Sequence, residues 1–182
     1  MVIVAVCICF SAGCSYQNYV NDGLALRNEI LLAEGCVFRA VITADYTDKV
    51  YTFDMQCEFD KLGNMHFTVL APDVIAGITG NVSDEGGNLT FDEQILAFEL
   101  LADGQLTPVS APWVFMKSLR SGYIHSVARN KDNLQVCIND SYEEDALEVD
   151  IWLNVENQPE IVEILWQNRR ILSLSISEFC IL

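Results

Sequence analysis

The sequence predicts a mainly β, α+β fold: a single antiparallel domain of about ten or eleven strands with one N-terminal and one central helix. Three observations predict it. Apolar and polar residues alternate with a period of two over much of residues 36–69 and again over 123–177. Two stretches, 21–34 and 111–121, read as helices instead. Short polar turns separate most of the strands, and no repeat, low-complexity run or linker divides the chain of 182 residues.

The chain opens with an apolar run, Val2–Phe10, followed by the small residues Ser11-Ala12-Gly13 and then Cys14. The run is far shorter than the roughly 20 residues a membrane-spanning helix needs. It suits a secretory signal, which pairs a short apolar segment with a small-residue cleavage site. Phe10-Ser11-Ala12-Gly13-Cys14 resembles a bacterial lipobox, with Ser11 where Leu is commonest, and no Lys or Arg precedes the run. The expectation is a signal peptide over residues 1–13, removed to leave Cys14 as a lipidated N-terminus. Residues 14–20 then form a short tether, and 21–182 the folded domain, extracytoplasmic and lipid-anchored to the cell membrane.

Asn21–Glu34 places Leu24, Leu26, Ile30, Leu31 and Ala33 at helical spacing, with Asn21 or Asp22 to cap it and Gly35 to end it. Strands are expected over Cys36–Tyr46, over 50–60 and from Met65, with turns at Tyr46–Lys49 and Leu62-Gly63-Asn64. In "VYTFDMQCEFD", Tyr51, Phe53, Met55, Cys57 and Phe59 alternate with polar residues, so one face is buried and one is wet. Ala71-Pro72-Asp73 breaks the sheet and starts one short turn of helix. Three short strands are expected between Gly77 and Gln105. A helix runs from Ala111, with Pro112 in its first turn and Gly122 as its stop. Five closing strands follow: Tyr123–Arg129, Leu134–Asn139, Leu147–Asn154, Ile161–Gln167 and Ile171–Ser177.

Charge excludes one class of partner. The chain carries 26 acidic and 10 basic residues, a formal charge of −16, with none of it in residues 1–13. Such a body is repelled by nucleic-acid phosphates and by anionic headgroups, so no nucleic-acid partner is expected, and membrane attachment requires the lipid on Cys14.

A helix after a lipobox, a long meander, the passage Pro72-x-x-x-x-Gly77-x-x-Gly80, "GNLTFDEQ" and the closing "WQNRRILSLSISEF" together resemble the LolA/LolB-like group of lipoprotein-sorting folds. Within that group the chain is similar to lipoproteins of Gram-positive, clostridia-type bacteria, including the spore-germination lipoprotein GerS. The resemblance implies an unclosed antiparallel β half-barrel with helices on its concave, apolar side. It also implies an acyl chain, another lipid or a hydrophobic protein segment as ligand. Candidate cavity positions are Phe38, Ile42, Phe53, Met55, Phe67, Leu96, Phe98, Leu172 and Leu174, with Trp113, Val114, Phe115 and Met116 of the central helix as a lid; the alternative for each is a closed hydrophobic core. Arg27 and Arg39 are the arginines available for the carriers' gating role. The GerS likeness implies an alternative function, a non-enzymatic partner or scaffold for an envelope or spore protein that serves germination or remodels peptidoglycan.

Catalytic chemistry finds no support, and no enzyme, cofactor or metal is expected. Cys36, Cys57, Cys137 and Cys180 have no CxxC spacing, and their pairing is open; Cys57 reads as a core residue. His66 and His125 lie in no metal motif, and His66 reads as solvent-facing. No GxSxG surrounds Ser110 or Ser121, and the glycines match no phosphate loop. The acidic stretch Asn139–Asp150 lacks EF-hand spacing and reads as a solvated hairpin turn. An open concavity of several hundred Å³ favours ligand binding, whereas a tightly packed inner face favours the scaffold.

Overall fold

The computed structural model describes residues 13–84, 86–90, 101–102, 106–130 and 133–182. Helix α1 (Gly13–Leu32) is followed by β1 (Gly35–Asp45), β2 (Val50–Asp60), β3 (Met65–Ala71), β4 (Thr79–Ser83) and β5 (Gly86–Thr90). A 3-10 turn, Pro108–Ser110, leads into α2 (Ala111–Ser121). Strands β6 (Tyr123–Asn130), β7 (Asn133–Asn139), β8 (Glu148–Leu153), β9 (Pro159–Trp166) and β10 (Arg169–Ile181) complete the described chain.

The ten strands form one antiparallel sheet in the order β5-β4-β3-β2-β1-β10-β9-β8-β7-β6. The first and last strands therefore meet at the centre, and β5 and β6 end opposite edges. The half-barrel expected from the sequence is thus observed, mainly β and unclosed among the described residues. The chain crosses from one edge to the other through α2, which packs across β7, β9 and β10.

Alternation explains the burial. Phe53, Met55, Cys57 and Phe59 of β2 are buried, while Thr52, Glu58 and Asp60 of its other face are exposed. Phe38 of β1 is fully buried and packs its ring against Phe59 at 5.8 Å, Phe115 of α2 at 5.8 Å and Phe179 of β10 at 5.7 Å. One ring thereby joins both wings of the sheet to the helix that covers them. On the opposite face of β1, Arg39 Nε donates to Asp54 Oδ1 of β2 at 2.8 Å, and Arg39 Nη2 donates to Asp54 Oδ2. These charged hydrogen bonds hold the Asp54 carboxyl below its usual pKa, against the opposing effect of partial burial.

Several boundaries differ from expectation. Helix α1 covers Gly13–Leu32 among the described residues, so it includes residues 14–20, ahead of the start expected at Asn21. Gly35 begins β1 instead of stopping the helix. A Cβ at Gly35 would lie 2.2 Å from the Phe59 carbonyl oxygen, so the glycine is needed for close approach of β2. Turns replace the expected helical turn after Ala71, with Ile75 N–H bonded to Pro72 O at 3.0 Å. Of the three strands expected from Gly77 to Gln105, two are seen as β4 and β5; the third falls outside the described residues, as do residues 1–12. The expected glycine turn holds: Gly63 has φ +89°, and Asp60 accepts from Asn64 N–H at 2.9 Å.

Two outcomes follow from this packing. Phe38→Ala is expected to destabilise the protein by about 3–5 kcal/mol, read from urea unfolding midpoints. Because the folded-state pKa of Asp54 is depressed, its contribution is present at neutral pH and is lost as pH falls through that lowered pKa. Asp54→Asn is accordingly expected to be less stable than the parent near neutrality, with the gap closing in urea titrations taken from about pH 6 to pH 2.

Candidate functional site

The inner face of the sheet gathers most of the positions that the sequence pointed to. Phe38 and Ile42 of β1, Phe53 and Met55 of β2, Phe67 of β3, and Leu172 and Leu174 of β10 are all buried in one cluster. Val114, Phe115 and Met116 of α2 complete it, and Trp113 is half-buried at its margin. Leu96 and Phe98 lie outside the described residues. Among the described residues the inward-facing side chains are packed on one another. Of the predicted positions only Trp113 lines a described cavity, one of about 230 Å³ bounded also by Phe59, Asp84, Lys117 and Arg120.

Polar contacts at its rim fasten α2 in place. Arg27 of α1 donates from Nε to Leu119 O at 2.6 Å and from Nη2 to Gly122 O at 2.9 Å, with Ser118 O at 3.4 Å. A guanidinium thus sits against carbonyl oxygens at the negative end of the helix dipole, one of which, Ser118 O, also accepts from Gly122 N–H at 2.7 Å. Partial burial lowers the Arg27 pKa, yet an arginine keeps its proton at physiological pH. Trp113 Nε1–H donates to Gly63 O at 3.2 Å, and Arg120 Nη2 donates to Lys61 O at 2.8 Å. Lys117 lies 2.8 Å from Asp84 and 4.7 Å from the Trp113 ring centre. Arg39, by contrast, serves the outer face of the sheet.

One polar group does not fit this apolar interior. Ser118, on the buried side of α2, is 1% exposed, and among the described residues its hydroxyl has no hydrogen-bond partner, a property shared by the buried Asp150 Oδ1 and Trp166 Nε1. Sequence reasoning passed over it, although its place three residues after Phe115 and four after Val114 puts it on the apolar stripe of the helix.

A larger cavity of about 570 Å³ lies at the C-terminal end of α2, beside β6, and shares Ser121 with the smaller one. Leu24 and Arg27 of α1, every residue from Ser121 to Val127, and Tyr142 line it. Tyr123 and Tyr142 hold their ring centres 5.6 Å apart at its mouth. His125 Nε2 stands 3.6 Å from Glu148 Oε1.

Reactive groups are muted. Cys36, Cys57, Cys137 and Cys180 are all unpaired thiols. Burial pushes Cys36 up to about 12 and Cys57 higher; Cys137 is pushed up to about 12 by burial and by a hydrogen bond with Asp150. Cys57 is fully buried, in its expected place in the core. His66 faces solvent as expected and pairs with Asn81 Oδ1 at 3.0 Å. The acidic stretch forms the β7–β8 turn, closed by Leu147 N–H donating to Asp140 Oδ1 at 2.8 Å. Among the described residues no cluster of three or more His, Cys, Asp or Glu is placed to hold a metal ion. Nor is any described helix long and apolar enough to cross a membrane.

No protein-family model matches the sequence. No curated protein matches it either. Solved structures do resemble it in outline. A LolA superfamily protein from Nitrosomonas europaea aligns over 92% of this chain and 93% of its own, with 9% identity and a TM-score of 0.47. An uncharacterised conserved protein from Thermus thermophilus aligns over 92% and 88%, with 11% identity and a TM-score of 0.46. A DUF1329 family protein from Desulfovibrio piger aligns over 91% and 92%, with 6% identity and a TM-score of 0.42. At these values the likeness concerns the general run of the fold and decides nothing about function.

Proposed function

We propose that the protein is a non-enzymatic, extracytoplasmic lipoprotein, tethered by lipid on Cys14, whose half-barrel holds an acyl-bearing apolar ligand beneath α2. The observation that carries this reading is Ser118: a hydroxyl without a partner among the described residues, on the covering helix, over an apolar sheet face. A buried hydroxyl left unpaired costs about 1–3 kcal/mol. A carboxyl, ester or amide oxygen at the end of an acyl chain would satisfy it, while the chain itself lies against Phe38, Met55 and Leu174. Entry requires α2 to lift from the sheet, and the unbranched Met55 and Met116 side chains suit a refilled interior.

A second reading rests on the packing itself. Phe38, Ile42, Met55 and Leu174 are fully buried by their own neighbours. A closed interior favours a scaffold or partner lipoprotein for an envelope or spore protein, in keeping with the GerS likeness.

The two readings part on ligand content. Organic extraction of protein purified from its native membrane, followed by mass spectrometry, is expected to release an acyl lipid in stoichiometric amount. A fluorescent fatty acid is expected to bind saturably, and Ser118→Ala to weaken it by about tenfold while leaving unfolding stability equal or slightly higher. Empty extracts together with no saturable binding would leave the closed scaffold standing. The tether is tested separately: Cys14→Ala is expected to move the protein from the membrane fraction into the soluble one, and unchanged fractionation would remove the lipid anchor from the account.

A further inference from the structure

The 570 Å³ cavity beside β6 is distinct from the apolar interior, and its lining reveals its nature. Successive side chains of a strand point to opposite faces of a sheet. A cavity touched by every residue from Gly122 to Val127 therefore lies along the strand's edge, where the backbone itself is presented. β6 is the terminal strand of the sheet and pairs only with β7 among the described residues. One row of its N–H and C=O groups consequently faces this cleft, the arrangement to which an added strand binds.

The walls of the cleft are set by other elements. α1 supplies Leu24 and Arg27 on one side, and the β7–β8 turn supplies Tyr142, 88% exposed, on the other. The pairing of β6 with β7 shifts register between Ile124 and Ser126, so His125 stands out of the ladder and into the cleft. Of the groups that line the cleft, Arg27 donates to carbonyls of α2 and keeps its positive charge, and His125 Nε2 lies 3.6 Å from Glu148 Oε1. Glu143 and Glu144, on the turn that carries Tyr142, are exposed and make no ion pair among the described residues. Arg27 is the one formally charged residue of the lining, but the adjoining turn carries Glu143 and Glu144, and this acidic wall on a chain of formal charge −16 repels a second copy and attracts a cationic segment.

We propose that this cleft docks an extended, basic peptide segment of a partner protein, which adds to the sheet by backbone pairing with β6 while Tyr123 and Tyr142 hold its side chains. The site stands apart from the apolar-ligand reading, and neither result below depends on whether a lipid occupies the interior.

Amide hydrogen exchange tests it, using synthetic peptides of about ten residues that alternate Lys with Val or Glu with Val. The Lys–Val peptide is expected to slow exchange within Gly122–Val127 by about tenfold or more, and the Glu–Val peptide to leave it unchanged. Charge reversal on the exposed turn, Glu143→Lys with Glu144→Lys, is expected to weaken the Lys–Val peptide by about tenfold and to leave the fold intact. Three results would overturn the proposal: no protection of β6, protection spread over the acidic surface without focus on β6, or protection of β6 that appears without peptide as protein concentration rises. The last would make a second copy the occupant.

Discussion

The pairing of β1 with β10 is the contact on which the rest of the architecture depends. It joins residues at the two ends of the domain, from Cys36 opposite Ile181 to Ala44 opposite Leu172. Glu34 N–H donates to Leu182 O and Leu182 N–H to Gly35 O, extending the seam past the strands themselves. Once the first and last strands lie side by side, the remaining strands can only be added outward on either wing. The meander β1–β5 builds one wing, and β6–β10 builds the other from its edge inward. The chain must then travel from the β5 edge to the β6 edge, and α2 lies on that route. A local pattern of hairpins is thereby turned into an enclosed interior by one long-range pairing, whose loop-closure entropy the hydrophobic cluster must offset.

Polar groups are sorted by the same geometry. Charged pairs such as Arg39–Asp54 and Arg170–Glu163 sit away from the interior, where water and each other satisfy them. Arg27 differs from them, because it lies between α1 and carbonyl oxygens at the end of α2. Its charge meets a helix end rather than a carboxylate, so one residue fixes how the two helices meet. Ser118 is the opposite case, a buried hydroxyl with no partner among the described residues in an otherwise apolar setting. The first contact holds the cover closed. The second is a polar group for which a closed cover offers nothing.

Much of this was legible in the residues. β2 runs over 50–60 as read, because its alternation is uninterrupted and Asp60 and Gly63 mark its turn. Helix α2 runs from Ala111 to Ser121 as read, with Pro112 at its start and Gly122 beyond its end. The inward positions from Phe38 to Leu174 were found for the same reason: a period of two assigns a face. α1 was misjudged at its start, since a polar stretch such as Ser15–Asn18 carries no helical stripe of its own. Gly35 was misassigned because a glycine after a helix suggests a stop, whereas its use here is to admit the Phe59 carbonyl from a neighbouring strand.

By itself, the sequence determined the class of the fold, the identity of its strands and helices, the face each strand buries and the acidity of its surface. These are local or compositional properties, set by side-chain periodicity, turn chemistry and charge. Only the tertiary structure decided that β6 falls at an edge, that Tyr123 meets Tyr142 there, that Arg27 reaches the end of α2, and that Ser118 is left without a partner among the described residues. Each of these depends on which strands the β1–β10 pairing places at the centre and which it leaves outside. That choice is made by contacts between residues far apart in the chain, and no window of sequence contains both partners.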